Sequence, residues 1–353
     1  MSNTDQLGER AGDPRCGGDP TVLVTAALRF PARIERLPAL AAYQVRAPDT
    51  KPRGILRLRH RIAKTLYFGL HQRLGLPATG TMEIAGRDGR AISIEIDATN
   101  TAFIDHASRQ LGPGYAPAVS AMLDWLAPRA STVYDIGANW GYFSVLVATN
   151  PAFDGTVFAF QITPDTRLGL ERLIRNAGLD RWVKVQGFGL SSVAREVELV
   201  KHKHSILNHV APPGYRGRTV KADVRRLDDL ELPPPDVVKI DVEDHEGDVI
   251  AGARRTFAAS RPVVIFENRL RDGEAIMAPI DALVELGYRL YVPSLRYLDP
   301  VVRTGDESIR VEISLCSMKP QERPGLAAEL DIVAVHPDGP IAVIDRPDDI
   351  GNS

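Results

Sequence analysis

From Thr132 onward the chain repeats one unit: a short β-branched apolar run, a turn and a helical segment. The runs are VYDI at 133–136, TVFAF at 156–160, VKVQGF at 183–188, DVVKID at 236–241 and PVVIFE at 262–267. Runs this short and this continuously apolar bury both faces, as strands of a parallel sheet must. Helical segments at 141–149, 165–177, 246–258 and 275–286 follow most of them, and Gly178 and Gly287 stand where helix ends take positive φ. Alternating strands and helices predict an α/β fold with a doubly wound, mostly parallel sheet.

Composition narrows the function classes. The 353 residues carry 43 Lys+Arg against 45 Asp+Glu, a formal net charge of −2, with 44% hydrophobic residues. That excludes a disordered chain, a collagen-like repeat and a heavily basic nucleic-acid coat. No apolar run is long enough for a transmembrane helix, and the N-terminal MSNTDQLGERAGDPRCGGDP lacks the apolar core of a secretory signal. The two cysteines, Cys16 and Cys316, cannot build a disulfide framework, so the expected location is cytoplasmic.

Three regions follow from the pattern. Residues 1–80 read as a partly disordered N-terminal extension, with little independent fold over 1–50, residues 81–337 as the main domain, and residues 338–353 as a C-terminal tail whose last residues, PDDIGNS, look frayed. Within the extension, residues 53–75 form a basic amphipathic helix, with Ile55, Leu58, Ile62, Leu66 and Leu70 at three- and four-residue steps and no acid between Lys51 and Gly75. It suits either peripheral contact with a membrane surface or a helix laid on the main domain with a solvated basic face. Alternation around Gly86-Arg87-Asp88-Gly89 predicts a hairpin within 81–105. Residues 193–225 break the strand–helix rhythm and read as an inserted hairpin-like excursion.

The first strand of the repeat ends in Asp135-Ile136-Gly137-Ala138-Asn139-Trp140-Gly141 and enters a helix. Open α/β sheets bind ligands at the carboxyl ends of their strands, and glycine lets backbone approach a ligand closely. The turn lacks the third glycine of G-x-G-x-x-G and the Gly-Lys-Ser/Thr of a phosphate loop. An acid two residues before the first glycine suits a nucleoside bearing an amino acid better than a pyrophosphate.

DIGANWGYFS, FQITP, GLSS, RRLDDL, KIDVEDHE, IAGA and IFEN occur in that order, and over residues 90–336 the chain resembles the FkbM family of S-adenosylmethionine-dependent methyltransferases. The resemblance implies a class I, Rossmann-like fold, S-adenosyl-L-methionine as cofactor, and O-methylation of a hydroxyl on a sugar, glycan or small secondary metabolite. It places the cofactor turn at Asp135, Gly137, Ala138, Asn139 and Gly141, and the adenine beside Leu190 and Ser191. Two departures stand out. Gln161 occupies the place of the family glutamate that takes the ribose hydroxyls, where an amide offers one acceptor oxygen and no charge. Asp244 stands where the family favours glycine. These departures motivate an alternative, a degenerate binding module that keeps the fold. A nicotinamide-dependent oxidoreductase is disfavoured by the missing third glycine and the missing acid at Gln161.

Strand alternation puts Lys239, Asp241 and Glu243 on one face, and Glu267 ends the next strand. Asp241, Glu243 and Glu267 are the candidate catalytic group, since methyl transfer to oxygen needs alignment and removal of a proton. Crowded carboxylates raise one another's pKa, which suits a base. Nothing in their spacing demands a metal, and no basic stripe outside 51–75 points to nucleic acid. His202, His204, His209 and His245 are alternative bases, weighed against their being solvated loop residues.

Overall fold

The computed structural model describes residues 22–45, 53–110, 114–200, 211, 214–271, 274–298 and 308–343. The expectations for Cys16, for the frayed C-terminus and for His202, His204 and His209 lie outside the described residues. Strands β1 (Val22–Arg29) and β2 (Ala32–Arg36) flank Pro31, and a short helix α1 (Ala39–Ala42) follows. The basic segment is helix α2 (Gly54–Tyr67), prolonged by a π-helical turn at Phe68–Arg73. The hairpin read from alternation is present as β3 (Thr79–Ala85) and β4 (Ala91–Asp97), with Met82, Ile84, Ile94 and Ile96 buried; β2 joins it as a third strand.

Helices α3 (Ala102–Arg109) and α4 (Pro117–Leu126) lead into the repeating units. These are β5 (Thr132–Ile136), α5 (Tyr142–Ala148), β6 (Thr156–Phe160), α6 (Pro164–Asn176) and β7 (Val183–Gln186). The excursion follows as β8 (Gly189–Leu190), β9 (Arg195–Val200) and β10 (Thr219–Arg225), a small sheet in which β9 and β10 pair antiparallel, the hairpin the sequence predicts. The chain then returns as β11 (Val237–Ile240), α7 (Glu246–Ala251), α8 (Arg254–Ser260) and β12 (Val263–Arg271). It finishes with β13 (Glu274–Ala275), α9 (Ala278–Glu285), β14 (Arg289–Tyr297), β15 (Ser308–Met318) and β16 (Glu329–Val335).

The large sheet runs β1-β15-β14-β16-β12-β11-β5-β6-β7. Strands β12, β11, β5, β6 and β7 are parallel, forming the doubly wound α/β core, and antiparallel strands extend it beyond β12. The chain winds outward from β5 through β6 to β7, then returns to place β11 on the other side of β5. The switch point therefore lies between the carboxyl ends of β5 and β11, where such folds bind ligands. Alternate strand residues enter two cores. Val133, Val157 and Val237 pack with α4, α5 and α6, whereas Tyr134, Phe158 and Val238 pack with α7, α8 and α9.

Two local features differ from the sequence reading. The single helix expected over 246–258 is two, broken at Gly252, where the chain passes so close to Ser191 that a Cβ would meet its carbonyl oxygen. Residues 22–36, expected to carry little independent fold, are built into the sheets: β1 pairs with β15 along its whole length. Arg29 ties that strand to the core, its Nε 2.8 Å from Asp124 Oδ1 while its other nitrogens donate to the Leu146 and Thr149 carbonyls at the end of α5. Such a cation satisfies the acceptors that a helix leaves unpaired at its C-terminus. Among the described residues no helix is long and apolar enough to cross a membrane.

Candidate active site

All five residues of β5 are buried, so the chain leaves the sheet at Ile136 directly into the core of the switch point. The backbone N–H groups of Gly137 and Ala138 both donate to the Phe160 carbonyl, at 3.1 and 3.0 Å. Gly137 has φ +83°, and a Cβ there would collide with the Asp241 carbonyl oxygen. Only glycine satisfies both requirements. Asn139 is also left-handed (φ +51°), a conformation its short polar side chain tolerates. Gly141 caps α5 with φ +100°, and its missing side chain leaves room for Leu170.

Beneath this turn Asp135 is buried and accepts from Ser144 Oγ at 2.6 Å. Lys239 Nζ lies 3.8 Å from Asp135 Oδ1 and 3.1 Å from Asp241 Oδ2, above the Phe143 ring. Burial pulls the Lys239 ammonium down, but the Asp241 and Asp135 charges outweigh it and hold the pKa above its ordinary value. Burial raises the Asp135 carboxyl against the pull of Lys239. The sequence reading took this acid as suiting an amino-acid-bearing ligand; in the fold, the ammonium beside it is that of Lys239.

A cavity of about 270 Å³ opens over the turn. Gly137, Ala138, Asn139, Gln161, Leu190 and Ser191 line one side, and Asp241, Glu243 and Glu267 another. Of the residues expected to touch a cofactor, Asp135 and Gly141 stand behind this wall rather than on it. Gln161 Oε1 accepts the Asn139 backbone N–H at 2.8 Å, which ties the end of β6 to the turn. One buried acceptor that lines the cavity, Asn139 Oδ1, has no hydrogen-bond partner. A buried acceptor left unpaired is costly, so such an atom at a glycine turn fits a ligand that brings a donor. The residues present thus fit an amino-acid-bearing nucleoside.

The three carboxylates converge, although not by the alternation expected. Strand β11 ends at Ile240, and Glu243 and Asp244 are both left-handed, at φ +55° and +74°. A sharp loop, not a continued strand, therefore delivers Glu243. Glu246 is buried and braces that loop by accepting the Val242 N–H at 3.1 Å. Arg269 joins the cluster: one guanidinium nitrogen pairs with Glu243, and another lies 2.7 Å from Glu267. Burial, then the Asp241 charge and a proton shared with Glu329, push Glu267 up to about 9 despite Arg269. Burial also raises Glu243, with Arg269 opposing. Asp331, across from Glu267 in the ladder, is pushed up to about 6 by burial and then by Asp241.

Sequence reasoning missed Arg269, Glu329 and Tyr115, which line the same cavity. Arg269 had a signal, since it lies two residues after Glu267 on one strand and so on the same face. Glu329 and Tyr115 reach the site from β16 and from the segment before α4, and no local spacing announces them. His245 lines the cavity, with Nδ1 3.7 Å from Asp248. A larger cavity of about 930 Å³ adjoins this one, sharing Trp140 and Thr163, and its far wall includes His71, Arg73 and Arg172.

The family model of the methyltransferase FkbM domain matches residues 135–290, from the acid of the turn to the start of β14. Among solved structures, the chain is similar to the methyltransferase FkbM from Methylobacillus flagellatus KT, at 17% identity over 53% of this chain and 44% of that one, with a TM-score of 0.35. It is also similar to an O-methyltransferase from Bacillus cereus in complex with SAH, at 16% identity over 62% of this chain and 91% of that one, with a TM-score of 0.33. The precorrin-6y C5,15-methyltransferase from Geobacter metallireducens GS-15 gives 17% identity over 56% and 87%, with a TM-score of 0.33. The chain thus spans less than half the length of the first of these. No curated protein matches. Residues 135–290, which hold the glycine turn, Gln161 and the carboxylate cluster together, are thus the part of the chain that matches the methyltransferase FkbM domain.

Proposed function

We propose that the domain transfers a methyl group from S-adenosylmethionine to a hydroxyl of a sugar, glycan or small secondary metabolite. The observation that carries this reading is the common cavity: the glycine turn and the three carboxylates face each other across one space. When bound, the cofactor supplies a methyl group made electrophilic by its sulfonium. The turn from Gly137 to Asn139 holds the nucleoside, Gln161 lies at the ribose, and Leu190 and Ser191 flank the base. Asp135 works from behind, through Lys239 and Ser144, to keep the turn in place.

The remaining task is to align an acceptor hydroxyl and take its proton, a step worth about 10²–10⁴-fold when a side chain is well placed. Lys239 Nζ lies 3.1 Å from Asp241 Oδ2 and fixes the position of that side chain. Glu267, which burial pushes up to about 9, is the group assigned to accept the proton, with Arg269 fixing its position. Glu243, anchored on the same guanidinium, completes the acidic wall.

Calorimetry with S-adenosylmethionine, followed by product analysis with a methyl-labelled donor and a panel of glycans and hydroxylated metabolites, tests the reading. Saturable binding and label on an acceptor oxygen are expected. Binding without transfer to any acceptor would return the chain to a degenerate binding module, and absence of binding at millimolar cofactor would remove the cofactor assignment.

A further inference from the structure

Helix α2 rests on the body of the protein by one face only. Ala63 and Tyr67 are buried there, and the Tyr67 hydroxyl donates to the Ala98 carbonyl. Roughly a third of a turn around the helix, by its periodicity of about 3.6 residues, lies a different apolar stripe. Ile55, Leu58, Ile62 and Leu66 occupy it and remain 73, 57, 50 and 47% exposed. The stripe that made this segment amphipathic in sequence is therefore not the face that packs against the domain. A helix merely laid on the core would bury it.

Cations border the stripe on both sides. Arg59 lies toward the body, donating to the Tyr43 hydroxyl at 3.0 Å. Arg61 borders the other side by the same periodicity, and Arg57 and Lys64 lie further round the helix. From Lys51 to Met82 the sequence has no acid. After the π-helical turn, Leu74 is again exposed.

We propose that α2 docks the protein on a membrane surface, laying the Ile55–Leu58–Ile62–Leu66 stripe into the interface of a bilayer that carries anionic lipid. Charge complementarity selects this occupant. An apolar stripe between rows of cations matches acyl chains below and anionic headgroups on either side. A second copy docked by the same face would bring the flanking Arg59 and Arg61 toward their own like charges. The chain leaving the helix passes into His71, Arg73 and Pro77, which line the larger cavity beside the active site. Docking therefore brings that cavity alongside the bilayer.

The experiment is co-sedimentation of the full chain with vesicles, one set mixing phosphatidylglycerol with phosphatidylcholine and the other of phosphatidylcholine alone. The protein is expected to pellet with the anionic vesicles at low salt, to be released at high salt, and to stay in solution with the neutral ones. Two double variants, Leu58→Ser with Ile62→Ser and Arg57→Glu with Arg61→Glu, should each weaken anionic-vesicle binding about tenfold or more. Both alter exposed positions, so circular dichroism should be unchanged, and the second keeps the test alive should the first misfold. Retention of the wild-type chain in the supernatant with anionic vesicles, or pelleting of both variants as complete as that of the wild type, overturns the proposal. Loss of a concentration-dependent dimer in the Leu58→Ser, Ile62→Ser variant would assign the stripe to a second copy instead.

Discussion

Asn139 donates its backbone N–H to Gln161 Oε1 at 2.8 Å, so the residue that ends one core strand holds the glycine turn that leaves its neighbour. The amide oxygen of Gln161, assigned to the ribose in the proposed function, is already engaged. Glutamate at 161 would keep one oxygen for Asn139 and offer a second, charged oxygen to a ribose hydroxyl. Charge-assisted bonds exceed neutral ones by about 1–2 kcal/mol, so Gln161→Glu should tighten S-adenosylmethionine binding about tenfold. Gln161→Leu, which releases the turn, should weaken it. Calorimetric titration of both variants decides; equal affinity for wild type and Gln161→Glu would remove Gln161 from the ribose.

The Glu267 carboxyl, pushed up to about 9, links pH to activity and to stability in opposite directions. As a proton acceptor it must be ionised, so kcat/KM should rise with pH and level off near that value. For stability, its folded pKa lies above the ordinary carboxylate value. The unfolded chain therefore loses the proton first, and the contribution to stability is complete at low pH and fades as pH rises toward about 9. Glu267→Gln should lower turnover about 10²–10⁴-fold, leave cofactor affinity nearly unchanged and flatten the fall in stability on the alkaline side. Full turnover in this variant would place the proton acceptor elsewhere in the cluster.

Much of this was legible in the sequence because it is local. The β-branched runs at 133–136, 156–160 and 262–267 gave parallel strands, and the spacing from Asp135 to Gly141 gave the turn. What escaped is set by contacts distant in sequence. Glu243 reaches the cavity through two left-handed residues, which no period-two pattern can express. Glu329 comes from the last strand, because β16 inserts beside β12. Arg29 looked like part of a loose N-terminus, since its partners Asp124, Leu146 and Thr149 lie about a hundred residues away. The stripe on α2 was visible, but which face the domain would use depends on Ala98, a partner outside the helix.

Asp244 illustrates how a departure from a family pattern acquires a cause. Its φ of +74° is one that glycine adopts freely and a residue with a Cβ adopts at a cost of about 1–2 kcal/mol, less for Asp than for most. Asp244→Gly relieves that strain and removes a negative charge near Glu243 and Glu246, both of which it raises. Glycine also frees the unfolded chain, which offsets part of the gain. The expected net effect is a stabilisation of about 0.5–1 kcal/mol, read as a higher urea midpoint with an unchanged slope. A lower midpoint would show that the Asp244 side chain contributes more to the loop than its backbone conformation costs.

Arg29 lies in the stretch expected to be an extension, yet its side chain holds β1 to α4 and α5. Its Nε lies 2.8 Å from Asp124 Oδ1, and Asp124 is buried, also accepting from Asn150 Nδ2 at 3.0 Å. Burial raises the Asp124 carboxyl, and Arg29 is the principal group that opposes the rise. Removing the guanidinium would leave a buried carboxylate short of its cation, the Thr149 carbonyl without its side-chain donor, and the Leu146 carbonyl with only the 3.4 Å contact from Thr149 Oγ1. A buried pair broken on one side costs about 3–5 kcal/mol; the partial exposure of Arg29 reduces this to about 2–4 kcal/mol for Arg29→Ala. Arg29→Met, which keeps most of the apolar stem, should lose nearly as much, because the loss is in charge and hydrogen bonds rather than packing. Urea denaturation of the full chain measures both. A change below about 0.5 kcal/mol in either variant, the range of ordinary surface substitutions, would mean that β1 is held by its pairing with β15 alone.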